Sequence, residues 1–169
     1  MATLLSKKLI CPADCAPHAS YLPPTLADRT SLLPVPPAAM GWRGFLIILR
    51  MIKTMIEVRH RPILDLVRGL QARKAQIPLA QTVPQDGLSY ASSVAAALRG
   101  ADLLLGANHH CLPRSICAMR LMLEHGLTPS MVMGVTEKPF EAHCWIELGP
   151  FVVADAPDRI MPYTPIFVL

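Results

Sequence analysis

The sequence predicts an α+β domain: a helical N-terminal part, then one further helix, then a small antiparallel sheet. Three observations predict it. Apolar residues recur at helical spacing through much of the stretch from Gly41 to Leu105. β-branched and aromatic residues gather into short runs after Gly126, separated by turn-formers. The connections between those runs are only a few residues long, which suits hairpins rather than the crossovers of a parallel sheet.

Residues 1–40 come first and read as a proline-rich tail or linker. Seven prolines fall there, in "YLPPTL" and "LLPVPPAAM" among others, and no apolar period survives them. Cys11, Cys15 and His18 form a C-x3-C-x2-H pattern with no fourth ligand nearby and a spacing foreign to common zinc modules, so no metal is assigned. The domain is placed at 41–169. Phe45, Ile48, Leu49, Ile52, Met55 and Ile56 form one broad apolar stripe of a first helix, expected to face the core. Pro62 interrupts it and opens a second helix carrying Ile63, Leu64, Val67 and Leu70. "IPLAQTVPQDG" reads as a loop, and Ser89 to Leu105 as a third helix ended by Gly106. A fourth runs from Leu112 to His125 with Gly126 as its C-cap. "SMVMGV", "AHCWIEL" and "FVVAD" are the strands.

A chain of 169 residues holds one domain plus an appendage. With 52% hydrophobic and 17% charged residues it is a buried, globular composition, and disorder throughout is excluded. The most apolar run, "GFLIILRMIKTMI", meets Arg50 and Lys53 well short of the ~20 residues a bilayer span needs. In "MATLLSKKLICPADC" the lysines follow the apolar patch, the wrong order for a secretory signal. Five cysteines without a framework fit a reducing compartment, so a cytoplasmic location is expected. Between Arg43 and Lys74 eight Lys or Arg residues face only Glu57 and Asp65. That stripe is either a solvated helix face or a contact for something anionic, whether nucleic acid, lipid or protein.

The chemistry gathers around "HHCLPRSICAMRLMLEHG" and "AHCW". Pro113 belongs in the first turn of a helix, which puts Cys111 at or near its N-cap. Unsatisfied N–H groups and the positive dipole end there favour thiolate over thiol. At about 100° per residue Ala118, Met119, Met122 and Leu123 make the inward stripe, with Cys111 on that side and Cys117 turned away beside Arg120 and Glu124. A nucleophile needs a base held by an orienting group. His109 and His110 lie on the cysteine's own loop, His125 at the helix's far end and His60 in the basic stripe; His143 alone stands in a strand. Asp155 is the candidate third member. A three-residue loop, Leu148-Gly149-Pro150, would set Asp155 opposite His143 and Trp145 opposite Val153, leaving Cys144 to the core with Ile146. Two buried thiols and a packed histidine remain the competing reading of the same residues.

In this order, "CLPRSICAMRLMLEHGLTPSMVMGV", "KPFEAHCWIEL" and "VVADAPDRIMPYTPI" resemble the transglutaminase-like leader peptidase of lasso-peptide biosynthesis, usually called the B protein. The likeness covers most of 41–169 and is strong from Cys111 onward. It implies a papain/transglutaminase-like cysteine protease fold, with Cys111 as nucleophile, His143 as general base and acid, and Asp155 as orienting carboxylate. The main-chain N–H of Cys111 would serve the oxyanion. Related proteases place a glutamine six residues before the nucleophile; Leu105 stands there, and Asn108 is the nearby substitute. Trp145 would either wall a small pocket for a threonine of the substrate or act as a core tryptophan.

The implied partners are a precursor peptide leader, a leader-recognition protein or domain, and a separate macrolactam cyclase. The cyclase would use ATP; no cofactor is implied for this chain, and neither nucleic acid nor a transmembrane segment is. Residues 1–40 look like the linker that follows a recognition domain in fused members. Two rivals stand beside the peptidase: a catalytically degenerate scaffold that docks the cyclase or a membrane, and an acyltransferase or amidase on the same geometry.

Overall fold

The computed structural model describes residues 29–32, 41–78, 82–105 and 110–169. Its order is β1 (Thr30–Ser31), α1 (Trp42–His60), α2 (Ile63–Lys74), α3 (Gln85–Leu105), α4 (Cys111–Glu124), β2 (Ser130–Glu137), β3 (Phe140–Leu148), β4 (Phe151–Val153), α5 (Pro157–Ile160) and β5 (Thr164–Val168). The strands form one sheet in the order β1-β4-β3-β2-β5, antiparallel except where β1 joins β4. This is the expected α+β architecture, helices first and sheet after. Cys11, Cys15 and His18 lie outside the described residues, as do Gly106 and Asn108.

Helix α4 is the hub, packed against α1, α3 and β3. The expected single inward stripe is too narrow: Pro113 to Met119 and Leu121 to Leu123 are all buried, because the helix is enclosed by helices on one side and the sheet on the other. Cys117 is therefore buried as well, packed near Thr54 with Arg120 and Glu124 beside it as expected. Met119 and Met122 are wholly inaccessible, and each such side chain contributes about 1.5–3 kcal/mol of transfer free energy. The helix ends as expected at Gly126, whose φ of +77° lets Leu127 N–H reach the Met122 carbonyl at 2.9 Å, a glycine-terminated cap.

Helix α1 departs from expectation. Its buried face is Ile47, Ile48, Met51 and Thr54, whereas Phe45, Leu49, Ile52 and Ile56 are exposed. Both faces are apolar, so the strongest stripe by count is not the one the core takes. Helix α3 begins at Gln85, four residues before the expected Ser89. Pro84 ends the loop, and Gly87 sits inside the helix where a Cβ would come within 2.7 Å of Leu127 Cδ2.

The β3–β4 hairpin does not have the register expected from a three-residue loop. Ile146 pairs with Val153 and Leu148 with Phe151, so the turn is Gly149-Pro150 alone. Gly149 takes φ +59°, as the first position of a II′-type turn requires, and the second position of that turn has a φ within proline's range. Trp145 consequently does not face Val153. Extended two residues further, this ladder would set Asp155 opposite Cys144. It stops first: Ala154 adopts φ +60°, in the left-handed region, and the chain leaves the sheet before Asp155. Short strand β1, inside the stretch read as tail, adds a parallel edge, and Ser31 Oγ donates to the Asp155 carbonyl at 2.8 Å.

Candidate active site

Cys111 is the first residue of α4, with His110 before it as N-cap. Its main-chain N–H is one of those a helix start leaves without an intrahelical acceptor, the position expected of an oxyanion donor. The thiol is partly accessible. Burial alone would raise its pKa, but a hydrogen bond with His143, main-chain contacts from Cys144 and Leu112, and the imidazolium charge together hold it below the ordinary value. The other two described thiols move the opposite way: burial pushes Cys117 up to about 11 and Cys144 up to about 12. Only Cys111 of these three is set up to ionise.

His143 comes from the middle of β3 and is buried. Its Nε2–H donates to Asp155 Oδ2 at 2.7 Å, which leaves Nδ1 to serve the thiol. Burial disfavours its charge, yet the hydrogen bonds with Asp155 and Cys111 and their negative charge raise its pKa to about 9. Trp145 lies two residues along the same face, its ring centroid 6.0 Å away, and Tyr163 covers the imidazole from another side at 5.0 Å. Trp145 is buried, with Nε1 donating to Glu147 at 2.8 Å, so it packs the histidine in place rather than walling an open pocket. Gly134, paired with His143 across β2, makes this packing possible: a Cβ there would lie 2.9 Å from both Trp145 Cη2 and Tyr163 Cβ.

Asp155 is buried and its pKa is lowered: burial works against the charge, but the His143 hydrogen bond, Arg114, and the Ala156 N–H outweigh it. The structure thus brings Cys111, His143 and Asp155 together, by a different route from the predicted hairpin register. The turn at Ala154 swings the carboxylate toward the ring.

Sequence reasoning missed the group behind the aspartate. Arg114 Nη2 donates to the same Oδ2 at 2.9 Å, and Arg114 Nη1 donates to Asp102 Oδ2 at 2.6 Å. All three residues are buried. The result is a line of alternating charge: Asp102, Arg114, Asp155, His143, Cys111. One signal was available, an arginine one turn after Cys111, on the N-terminal half of the helix rather than with Arg120 and Glu124.

The other histidines stand apart. His125 stacks on Tyr90 at 3.9 Å, His60 is exposed at the end of α1, and His109 lies outside the described residues. Much of the basic stripe is spent on ion pairs, Arg50 and Arg73 with Glu124 and Arg68 with Asp65, while Glu57 pairs with Arg120. Beside the Cys111 end of α4 an open groove of about 570 Å³ is lined by Met55, Ile56, Arg59, His60, His110 and Pro113.

The family model of the transglutaminase-like superfamily matches residues 54–168, more than half of the chain and all of this constellation. The chain belongs to the transglutaminase-like superfamily. That superfamily is generally enzymatic, with cysteine protease or acyltransferase activities. No curated protein and no solved structure matches the chain significantly. Among the described residues no helix of this transglutaminase-like protein is long and apolar enough to cross a membrane.

Proposed function

We propose that the protein is a cysteine peptidase that removes the leader from a lasso-peptide precursor. The observation that carries the chemistry is the convergence of the Cys111 thiol, at a helix start, with His143, whose ring the buried Asp155 carboxylate holds at 2.7 Å. The Cys111 thiolate attacks the scissile carbonyl; the main-chain N–H of Cys111 stabilises the oxyanion. Protonated His143 gives its proton to the leaving amine, and a thioester remains. Neutral His143 then deprotonates a water, which releases the leader acid. Asp155 keeps the ring oriented through both halves. The freed amine is the nucleophile that a separate ATP-dependent cyclase needs for the macrolactam. The family resemblance of the "CLPRS" and "EAHCW" segments supports the choice of substrate.

Cys111→Ala tests the reading. With the precursor, a leader-recognition protein and the cyclase present, the variant should fold as the wild type does and give neither cleaved leader nor mature product. Mature product from the purified variant refutes it. An acyltransferase uses the same first half-reaction, with an amine or alcohol in place of water. It is separated by mass spectrometry of the product: a free leader acid supports hydrolysis, a leader conjugate supports transfer.

A further inference from the structure

Helix α1 carries a second apolar line that its own core does not use. Trp42, Phe45, Leu49, Ile52 and Ile56 are spaced 3, 4, 3 and 4 residues apart, the a/d rhythm of a heptad seam. They are between 37% and 72% exposed. At about 100° per residue this line is centred roughly 150° from the buried face of Ile47, Ile48, Met51 and Thr54. Among the described residues the helix is thus used on one side and unpartnered on the other.

The flanks state what kind of partner fits. Lys53 and Arg59 lie on either side of the line; both are exposed and neither makes a close ion pair among the described residues, although Glu57 feels the Lys53 charge. A second copy of the chain would bring these cations against themselves. Residues 1–40 are a poor match as well, since they hold seven prolines and only two acidic residues, Asp14 and Asp28. The geometry points to a docking surface for an acidic amphipathic helix of another polypeptide, laid along α1 from Trp42 to Ile56. Ile56 also lines the groove beside His110 and Pro113, so a docked helix ends near the nucleophile. The inference does not depend on the peptidase reading, because docking needs no thiol.

The probe is a synthetic peptide of about three heptads with leucine at a and d and glutamate at e and g, which keep it from pairing with itself. Its counterpart carries lysine at e and g. Trp42 reports binding, because Trp145 is buried. Wild type and Cys111→Ala should both bind the acidic peptide, with a blue shift of Trp42 emission. The basic peptide should bind at least ~10-fold more weakly. Leu49→Glu with Ile52→Glu, both at exposed positions, should abolish binding without altering the fold by circular dichroism, and Lys53→Glu should weaken it. No binding of the acidic peptide overturns the inference, as does equal binding of both peptides. Tighter binding to vesicles containing phosphatidylserine assigns the face to a membrane instead. Self-association that is lost in the double glutamate variant assigns it to a second copy.

Discussion

Replacing Arg114 by methionine separates what the buried arginine does for stability from what it does for the histidine. The side chain is 5% exposed and makes two charge-assisted hydrogen bonds, 2.6 Å to Asp102 and 2.9 Å to Asp155. Its removal strands Asp102, which is itself 8% exposed and whose Oδ1 has no hydrogen-bond partner among the described residues. Asp155 keeps His143 and the Ala156 N–H. Breaking a buried pair from one side costs about 3–5 kcal/mol, most of it here on Asp102. Arg114→Met with Asp102→Leu removes both charges and should recover most of that loss. The histidine should behave differently. Arg114 and His143 share one carboxylate oxygen, so without the guanidinium the imidazolium has that oxygen alone. His143 should then titrate above its value of about 9, by roughly one unit or ~1.4 kcal/mol, in the single and double variants alike. Urea unfolding gives the stabilities. The alkaline inflection of Cys111 alkylation, followed by mass spectrometry of its peptide, gives the histidine. A single-variant cost below ~1 kcal/mol, a double variant no more stable than the single, or an unmoved inflection would refute the reasoning.

Four further outcomes are expected. Iodoacetamide near neutral pH should modify Cys111 well before Cys117 or Cys144, whose thiols sit at about 11 and about 12; equal labelling counts against an activated thiol. Peptidase activity should rise as Cys111 ionises, below its ordinary value of 9.0, and fall as His143 loses its proton near 9. The linked stability follows the same signs: the His143 contribution is complete below 6.5 and lost as pH rises through about 9. The Asp155 contribution is complete above 3.8 and lost on acidification through its lowered pKa. Gly134→Ala should cost about 1–3 kcal/mol in urea unfolding and lower the alkylation rate of Cys111, since its Cβ displaces the two rings that hold His143. Ala154→Val should cost about 2 kcal/mol or more, because a β-branched residue tolerates φ +60° badly; a wild-type midpoint would show that the turn is not needed.

Local pattern carried the sequence reading where the physics is local. Pro113 and Gly126 marked the ends of α4, and the two-residue period of β3 put His143 and Trp145 on one face and Cys144 and Ile146 on the other. The hairpin register was misread because proline was judged without the left-handed glycine before it. The face of α1 was misread because two apolar stripes compete, and only packing against α3 and α4 decides between them. Arg114 and Asp102 are invisible locally, since a buried ion pair is recognised by its partner twelve residues away and not by its own neighbours. Strand β1 pairs with β4 across some 120 positions, and two residues carry no period at all.

Cys111 belongs to a helix and His143 to a strand, so the reactivity proposed for the thiol requires those two layers to be docked. Any breathing motion that parts α4 from β3 returns the sulfur to an ordinary, sluggish thiol. On the proposed reading a half-made or half-opened molecule is therefore harmless to its neighbours, because the event that loosens the fold also parts the thiol from the imidazole.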